Sequence, residues 1–118
     1  MTRLAQQQAA VSSDVVDEHT EVVTLDGEFN RLSAPEVERQ LSGALGTEQD
    51  VLVDLRGVRF LDPAVLEVLL RGVARASGRG TRFDLIRPHA LVWRVFVLTG
   101  LSARFPNYSS IQEALAAI

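Results

Sequence analysis

The chain has no cysteine, and all 12 of its basic residues are arginine, so lysine is absent too. Without cysteine there can be no disulfide framework, no thiolate metal site and no cysteine nucleophile. The missing lysine reads as a compositional bias of the source genome. Histidine is scarce, with two in the chain, and neither falls in an HxxxH or HExxH spacing. No GxGxxG or GxxxxGK[ST] phosphate loop occurs. No apolar run approaches the roughly 20 residues that a membrane span requires. Residues 1 to 10 (MTRLAQQQAA) contain Arg3 but no apolar segment of the kind a signal peptide needs, so a cytoplasmic location is expected. The formal charge of −3 leaves no nucleic-acid footprint.

What remains is 118 residues, 47% of them hydrophobic, enough for one domain with one core. The expected division is a loose tail over 1–10 and a domain over 11–118. Charge is unevenly spread. Asp14, Asp17, Glu18, Glu21, Asp26 and Glu28 crowd the early part, and Arg71, Arg75, Arg79, Arg82, Arg87 and Arg94 a later one. These read either as two solvated faces or as a bipolar surface that steers a charged partner.

Local patterns order the elements. Val11–Val16 and Glu21–Leu25 form a hairpin of strands, ended by Asp26-Gly27. Ser33-Ala34-Pro35-Glu36 has the form of a capping box, and Val37, Leu41, Ala44 and Leu45 follow at helical spacing up to Gly46. Val51–Leu55 is a nearly continuous apolar run, as expected of a strand buried on both faces, and Gly57 then turns the chain. Asp62 is the N-cap of a helix with Pro63 at its first position. Leu66, Leu69, Leu70 and Val73 form that helix's buried stripe, Glu67 and Arg71 an exposed i, i+4 pair, and Ser77-Gly78-Arg79-Gly80 its end. Thr81–Ile86 alternates like a half-exposed strand. A helix over Ala90–Leu98 is apolar on most sides, and Thr99-Gly100-Leu101 closes it. A short strand within Arg104–Tyr108 and a helix capped by Ser110 and Glu113, with a stripe of Ile111, Ala114, Leu115 and Ile118, complete the chain. The order β-β-α-β-α-β-α-β-α implies an α/β domain, with helices covering a mixed sheet.

No residue is set up for catalysis. His19 lies in an acidic turn and His89 at a helix start. Gly78-Arg79-Gly80 reads as a helix stop, and Trp93 as a core residue or a partner-facing aromatic. Asp62 has a sufficient role as a cap. No cofactor or metal site is expected.

Four short motifs, in order, resemble the STAS family and most closely its bacterial anti-sigma factor antagonists, over roughly residues 11–118. Gly27-Glu28-Phe29-Asn30 stands where the family has Gly-Glu-Leu-Asp. Val51-Leu52-Val53-Asp54-Leu55 matches its aspartate-containing central strand. Phe60-Leu61-Asp62-Pro63-Ala64-Val65-Leu66 matches a Phe-hydrophobic-Asp-Ser-Ser-Gly-Leu segment, and Thr99-Gly100-Leu101 matches its late Thr-Gly-Leu. The resemblance implies a STAS-like mixed sheet of about four or five strands flanked by about four helices.

It also implies a protein-binding regulator whose partner is an anti-sigma factor of the GHKL kinase type. In the family that kinase phosphorylates the second Ser of Asp-Ser-Ser-Gly and so ends the complex. Here Ala64 occupies the acceptor position and Pro63 precedes it, and Val65 and Glu67 stand at the flanking glycine positions. The usual switch is therefore missing and constitutive activity is expected. Other STAS roles remain open: an accessory subunit of an ABC-type lipid transporter, or a scaffold in a multi-STAS assembly. The expected partner surface comprises Glu28, Asn30, Asp62, Pro63, Ala64, Val65 and Glu67, with Val65 either an exposed apolar centre or a core residue.

Overall fold

A computed structural model of the protein describes residues 8–117. The tail expected over 1–10 thus falls mostly outside the described residues, as does Ile118. Five strands form one sheet in the order β1-β2-β3-β4-β5. They are β1 (Ala10–Val15), β2 (Thr20–Phe29), β3 (Asp50–Leu61), β4 (Phe83–Ile86) and β5 (Asn107–Tyr108). β1 and β2 form the expected antiparallel hairpin, and every later pairing is parallel. The helices are α1 (Ala34–Leu45), α2 (Pro63–Arg79), α3 (Ala90–Leu98) and α4 (Ile111–Ala116), with 3-10 turns at Arg31–Ser33 and Leu101–Arg104.

β2 and β3 are longer than their patterns suggested, because neither Gly27 nor Gly57 ends a strand. Both lie inside the β2–β3 ladder, beside its register shifts at Thr24/Asp26 and Gly27/Glu28. Gly27 has φ +115°, and a Cβ there would lie 2.6 Å from the Gln8 carbonyl oxygen. A Cβ on Gly57 would meet the Asp26 carboxylate at 2.5 Å. Such close approaches, with an irregular ladder, are what glycine inside a strand permits.

Side-chain alternation along the strands builds two cores. Val23, Leu25, Phe29, Val51, Val53, Leu55 and Leu85 pack under α1, α2 and α3, joined by Phe96 and Phe105. On the opposite face Val22, Leu52 and Ile86 pack against Ala114, with Ile111 and Leu115 of α4 partly buried beside them. β4 is buried at all four positions rather than half-exposed. It lies between β3 and β5, with Phe83 under α2 and Ile86 in the core under α4. Its polar residue, Asp84, is satisfied inside: Arg82 donates to its Oδ2 from Nε at 2.9 Å and from Nη2 at 2.6 Å. Burial still pushes the Asp84 carboxyl above its ordinary value, against the hydrogen bond and charge of Arg82.

Helix ends follow local chemistry, with one correction. Ser33 makes no side-chain cap bond. Asn30 does that work one turn earlier, its Oδ1 accepting from the Leu32 amide at 2.9 Å and opening the 3-10 turn. Glu36 pairs with Arg39 at 2.6 Å instead of reaching back. Gly46 ends α1 in right-handed geometry, not left-handed. Gly80 and Gly100 do adopt the left-handed geometry that closes α2 and α3. Ser110 caps α4 as expected, accepting from the Glu113 amide at 3.0 Å, while Glu113 takes the amide of Ser109 at 2.6 Å.

The α2 part of the arginine-rich stretch, Arg71, Arg75 and Arg79, is neither a bare solvated face nor a free steering field. Arg71, expected to pair with Glu67, pairs with Glu38 of α1 at 3.1 Å. Arg75 donates to Ser42 Oγ at 2.9 Å and Arg79 to the Leu45 carbonyl at 3.2 Å. These three arginines, one helical turn apart, fasten α2 to α1. Exposed pairs of this kind each contribute about 0–1 kcal/mol.

Candidate protein-binding site

Parallel β2 and β3 end side by side, with Phe29 opposite Leu61 and Glu28 opposite Phe60. The Asp62 amide donates to the Phe29 carbonyl at 2.8 Å, which locks the two exits together. From one exit come Asn30 and the 3-10 turn; from the other come Asp62 and α2. The carboxyl ends of sheet strands are where an α/β domain opens its binding loops.

Asp62 is extended (φ −70°, ψ 148°), and its Oδ1 accepts from the Ala64 amide at 2.8 Å. Pro63 at the helix start carries no donor to waste. Asp62 is therefore held in place by its cap. Asp62 and Ala64 are half-buried; Pro63 and Glu67 are exposed. Glu28 is half-buried and Asn30 exposed. The structure thus gathers Glu28, Asn30, Asp62, Pro63 and Ala64 at one end of the sheet, with Glu67 one turn further along α2. Val65 does not join them. It is 0% exposed and packs in the main core, because position 65 shares a helix face with Leu69. Of the two alternatives for Val65, the core residue holds and the exposed apolar centre does not.

The exposed apolar side chains lie elsewhere. Leu32 is on the 3-10 turn, Phe60 is the second-last residue of β3, Val15 ends β1 with Val16 directly after it, and Leu91, Val95, Val97 and Leu98 are on α3. The available signal was the helix apolar on most sides: a nine-residue helix on one face of a sheet cannot bury all of them. A cavity of about 280 Å³ lies beside Asn30, lined by Val11, Phe29, Leu32, Ser33 and Glu36 among others.

The remaining candidates for chemistry are accounted for locally. Asp54, buried on β3, accepts from Arg56 Nε at 3.0 Å and Nη2 at 2.8 Å. His19 is exposed, and its amide donates to Asp17 at 2.8 Å, which holds the Asp17 carboxyl below its ordinary value. His89 is an exposed N-cap without a side-chain cap bond. Trp93 is half-buried and stacks on Phe96 at 4.8 Å. Among the described residues no group of three or more His, Cys, Asp or Glu could hold a metal ion, and no helix is long and apolar enough to cross a membrane.

The family model described as "Mlab, STAS domain" matches residues 13–108. The chain belongs to the STAS domain family. Among solved structures, an anti-sigma factor antagonist from Mycobacterium paratuberculosis is similar at 25% identity and TM-score 0.81, with 95% of each chain covered. A protein described as an anti-sigma factor antagonist from Thermotoga maritima is similar at 26% identity and TM-score 0.78, covering 90% of this STAS chain and 92% of its own. The phosphorylated form of the Bacillus cell fate determinant SpoIIAA shares the STAS fold at 19% identity and TM-score 0.71, with 91% and 97% covered. No curated protein matches the chain. The mixed five-stranded sheet and its four helices are the STAS fold expected from the sequence.

Proposed function

We propose that this STAS domain is a regulatory binding protein of the anti-sigma factor antagonist kind that cannot be switched off at the usual position. Its partner on this reading is an anti-sigma factor of the GHKL kinase type. The observation that carries it is the start of α2. Ala64 stands in the second position of the helix behind Pro63, with its amide held by Asp62. Neither Pro63 nor Ala64 has a hydroxyl to accept a phosphoryl group. A phosphate there would add about −1.5 to −2 charge to an interface and oppose binding. Without an acceptor the contacts around it persist. Glu28, Asn30, Asp62, Pro63, Ala64 and Glu67 form the contact surface.

The protein does no chemistry of its own on this reading, and it works in the cytoplasm. The test is incubation with an anti-sigma kinase from the same cell and ATP, followed by mass spectrometry and calorimetry. The expected result is tight binding, no phosphate on residues 62–66, and weakened binding by Glu67→Arg. Binding that disappears on addition of ATP overturns constitutive activity. No binding to any such kinase overturns the antagonist reading. A permanent subunit also needs no phosphorylation switch, so the missing hydroxyl fits a second role, that of an accessory subunit on the ATPase of an ABC-type lipid transporter. Binding to that ATPase in place of the kinase decides for it.

A further inference from the structure

α3 buries only part of its apolar surface. Val92 and Phe96 are in the core. At about 100° per residue, Leu91, Val95 and Leu98 fall together on another arc of the helix. They are 73%, 40% and 74% exposed, and Phe60, at the end of β3, is 49% exposed. Arg59, Phe60, Leu61, Leu91, Val92 and Val95 line one groove of about 120 Å³. Single exposed leucines are ordinary on a protein surface, but a contiguous apolar set around a concavity marks a place of contact.

Charge on the α3 side of the groove is one-sided. The segment from Arg87 to Arg104 contains Arg87, Arg94 and Arg104 and no carboxylate. Arg94 borders the arc of Leu91 and Leu98, and Arg59 lines the groove itself. Neither has an ion-pair partner among the described residues. Two carboxylates stand at the strand end of the groove, Glu28 opposite Phe60 on β2 and Asp62 directly after Leu61. Both belong to the surface proposed above, so the groove is continuous with that surface through Phe60, Leu61 and Asp62.

We propose that the groove between Phe60 and α3 is the docking site for an amphipathic helix of a protein partner, whose apolar stripe is flanked by carboxylates. The proposal rests on the partner-binding reading and supplies the partner's chemistry. Helices dock in grooves through apolar anchors spaced i, i+3/i+4 and i+7. The Arg59 and Arg94 rim selects acidic flanks and speeds their encounter. A second copy of the chain would bring the same carboxylate-free helix, setting arginine against arginine. A bilayer presents a flat surface and leaves the concavity unfilled.

The experiment uses the full chain and a synthetic helical peptide with leucines at i, i+3, i+4 and i+7 and glutamates on both flanks. A matched peptide carries lysines in place of the glutamates. Both lack tryptophan, so emission from Trp93, the chain's single tryptophan, reports on α3, and calorimetry gives the affinity. The glutamate peptide should bind saturably, and the lysine peptide about tenfold more weakly or less. Leu91→Asp with Leu98→Asp should abolish binding. Arg94→Glu should remove the preference for glutamate. The circular dichroism spectrum of each variant should stay native, since all these side chains are exposed.

Failure of the glutamate peptide to bind, or equal binding of both peptides, overturns the proposal. So does a dimer in sedimentation that Leu98→Asp converts to monomer, or binding to anionic phosphatidylglycerol vesicles that Leu98→Asp removes. Glu67→Arg separates this proposal from the previous one, because it should leave peptide binding intact. If the peptide binds while no anti-sigma factor does, the groove stands and the antagonist reading alone fails. If an anti-sigma factor binds the Leu91→Asp, Leu98→Asp variant as well as the parent, the groove is not its docking site.

Discussion

Replacing Gly72 with alanine sets two known effects against each other. Gly72 is buried in the middle of α2, where that helix crosses β4. A Cβ at this position would lie 2.5 Å from Cε2 and 2.6 Å from Cζ of Phe83. Alanine is favoured over glycine inside a helix by about 1 kcal/mol. Forcing a methyl group into a filled core costs about 1–3 kcal/mol. Phe83 is itself buried, in the cluster that holds Leu69 and Ala76, and it also lines a cavity of about 300 Å³ beside Val73 and Ala76 that can take up part of the ring's displacement. Overpacking should offset the helical gain, with a net loss of about 0–2 kcal/mol. That loss lowers the melting temperature by about 4 °C per kcal/mol.

Gly43 in α1 is the control. It is also helical, but a Cβ there meets nothing within 4 Å. Gly43→Ala should therefore gain about 0.5–1 kcal/mol. Urea unfolding followed by Trp93 fluorescence and far-ultraviolet circular dichroism measures both. Adding Phe83→Leu to Gly72→Ala should recover part of the loss, and the coupling in that double-mutant cycle isolates the steric term. If Gly72→Ala stabilises the protein as much as Gly43→Ala, the close approach of α2 to β4 is not what glycine serves, and the reasoning fails.

Asp62→Ala should cost about 0.5–2 kcal/mol by removing the cap at Ala64; an unchanged urea midpoint counts against it. Asn30→Ala should cost about 0.5–1 kcal/mol, whereas Ser33→Ala should stay within about 0.5 kcal/mol, since Asn30 rather than Ser33 holds the turn amide. Equal losses at the two positions would restore Ser33 as the cap. Burial raises the folded-state value of the Asp84 carboxyl above 3.8, so folding favours its protonated form. Its contribution is complete below 3.8 and is lost as pH rises through the raised value, so the parent should gain stability relative to Asp84→Asn as pH falls through that window. Paired urea titrations at neutral and acid pH measure this difference, and a gap moving the other way refutes the sign.

Elements whose signals are local were legible from the sequence. Asp62-Pro63 opens α2, Gly100 closes α3 in left-handed geometry, and Ser110 caps α4, each through bonds reaching only a few residues. The misreadings concern partners distant in the chain. Gly27 and Gly57 look like turns until the opposing backbone and Asp26 are seen beside them. The alternation of Thr81–Ile86 gives no hint that β5 covers the outer edge, or that Arg82 neutralises Asp84 inside. At the candidate site the motif placed Glu28, Asn30 and Asp62 at one end of the sheet. The stripe of Leu66, Leu69, Leu70 and Val73 gave the inner face of α2 only roughly: the buried positions are Val65, Leu66, Val68, Leu69, Gly72 and Ala76, and that shift of the face toward Val65 decides that it is core. The same limit applied to Arg71, which had a partner in its own helix and took one in α1.

The central place of β3 has a consequence for how the surface meets a partner. Its residues from Val51 to Leu55 are buried, with hydrogen-bonded strands on both sides. Amides in such a position exchange with solvent only when most of the domain opens. Asp62 and the start of α2 hang directly from this strand, locked to β2 through the Phe29 carbonyl. The proposed contact surface is thereby anchored to the part of the sheet expected to open last. A partner meets a shape already formed, so association carries little ordering entropy, and differences between partners should fall mainly in their rates of departure.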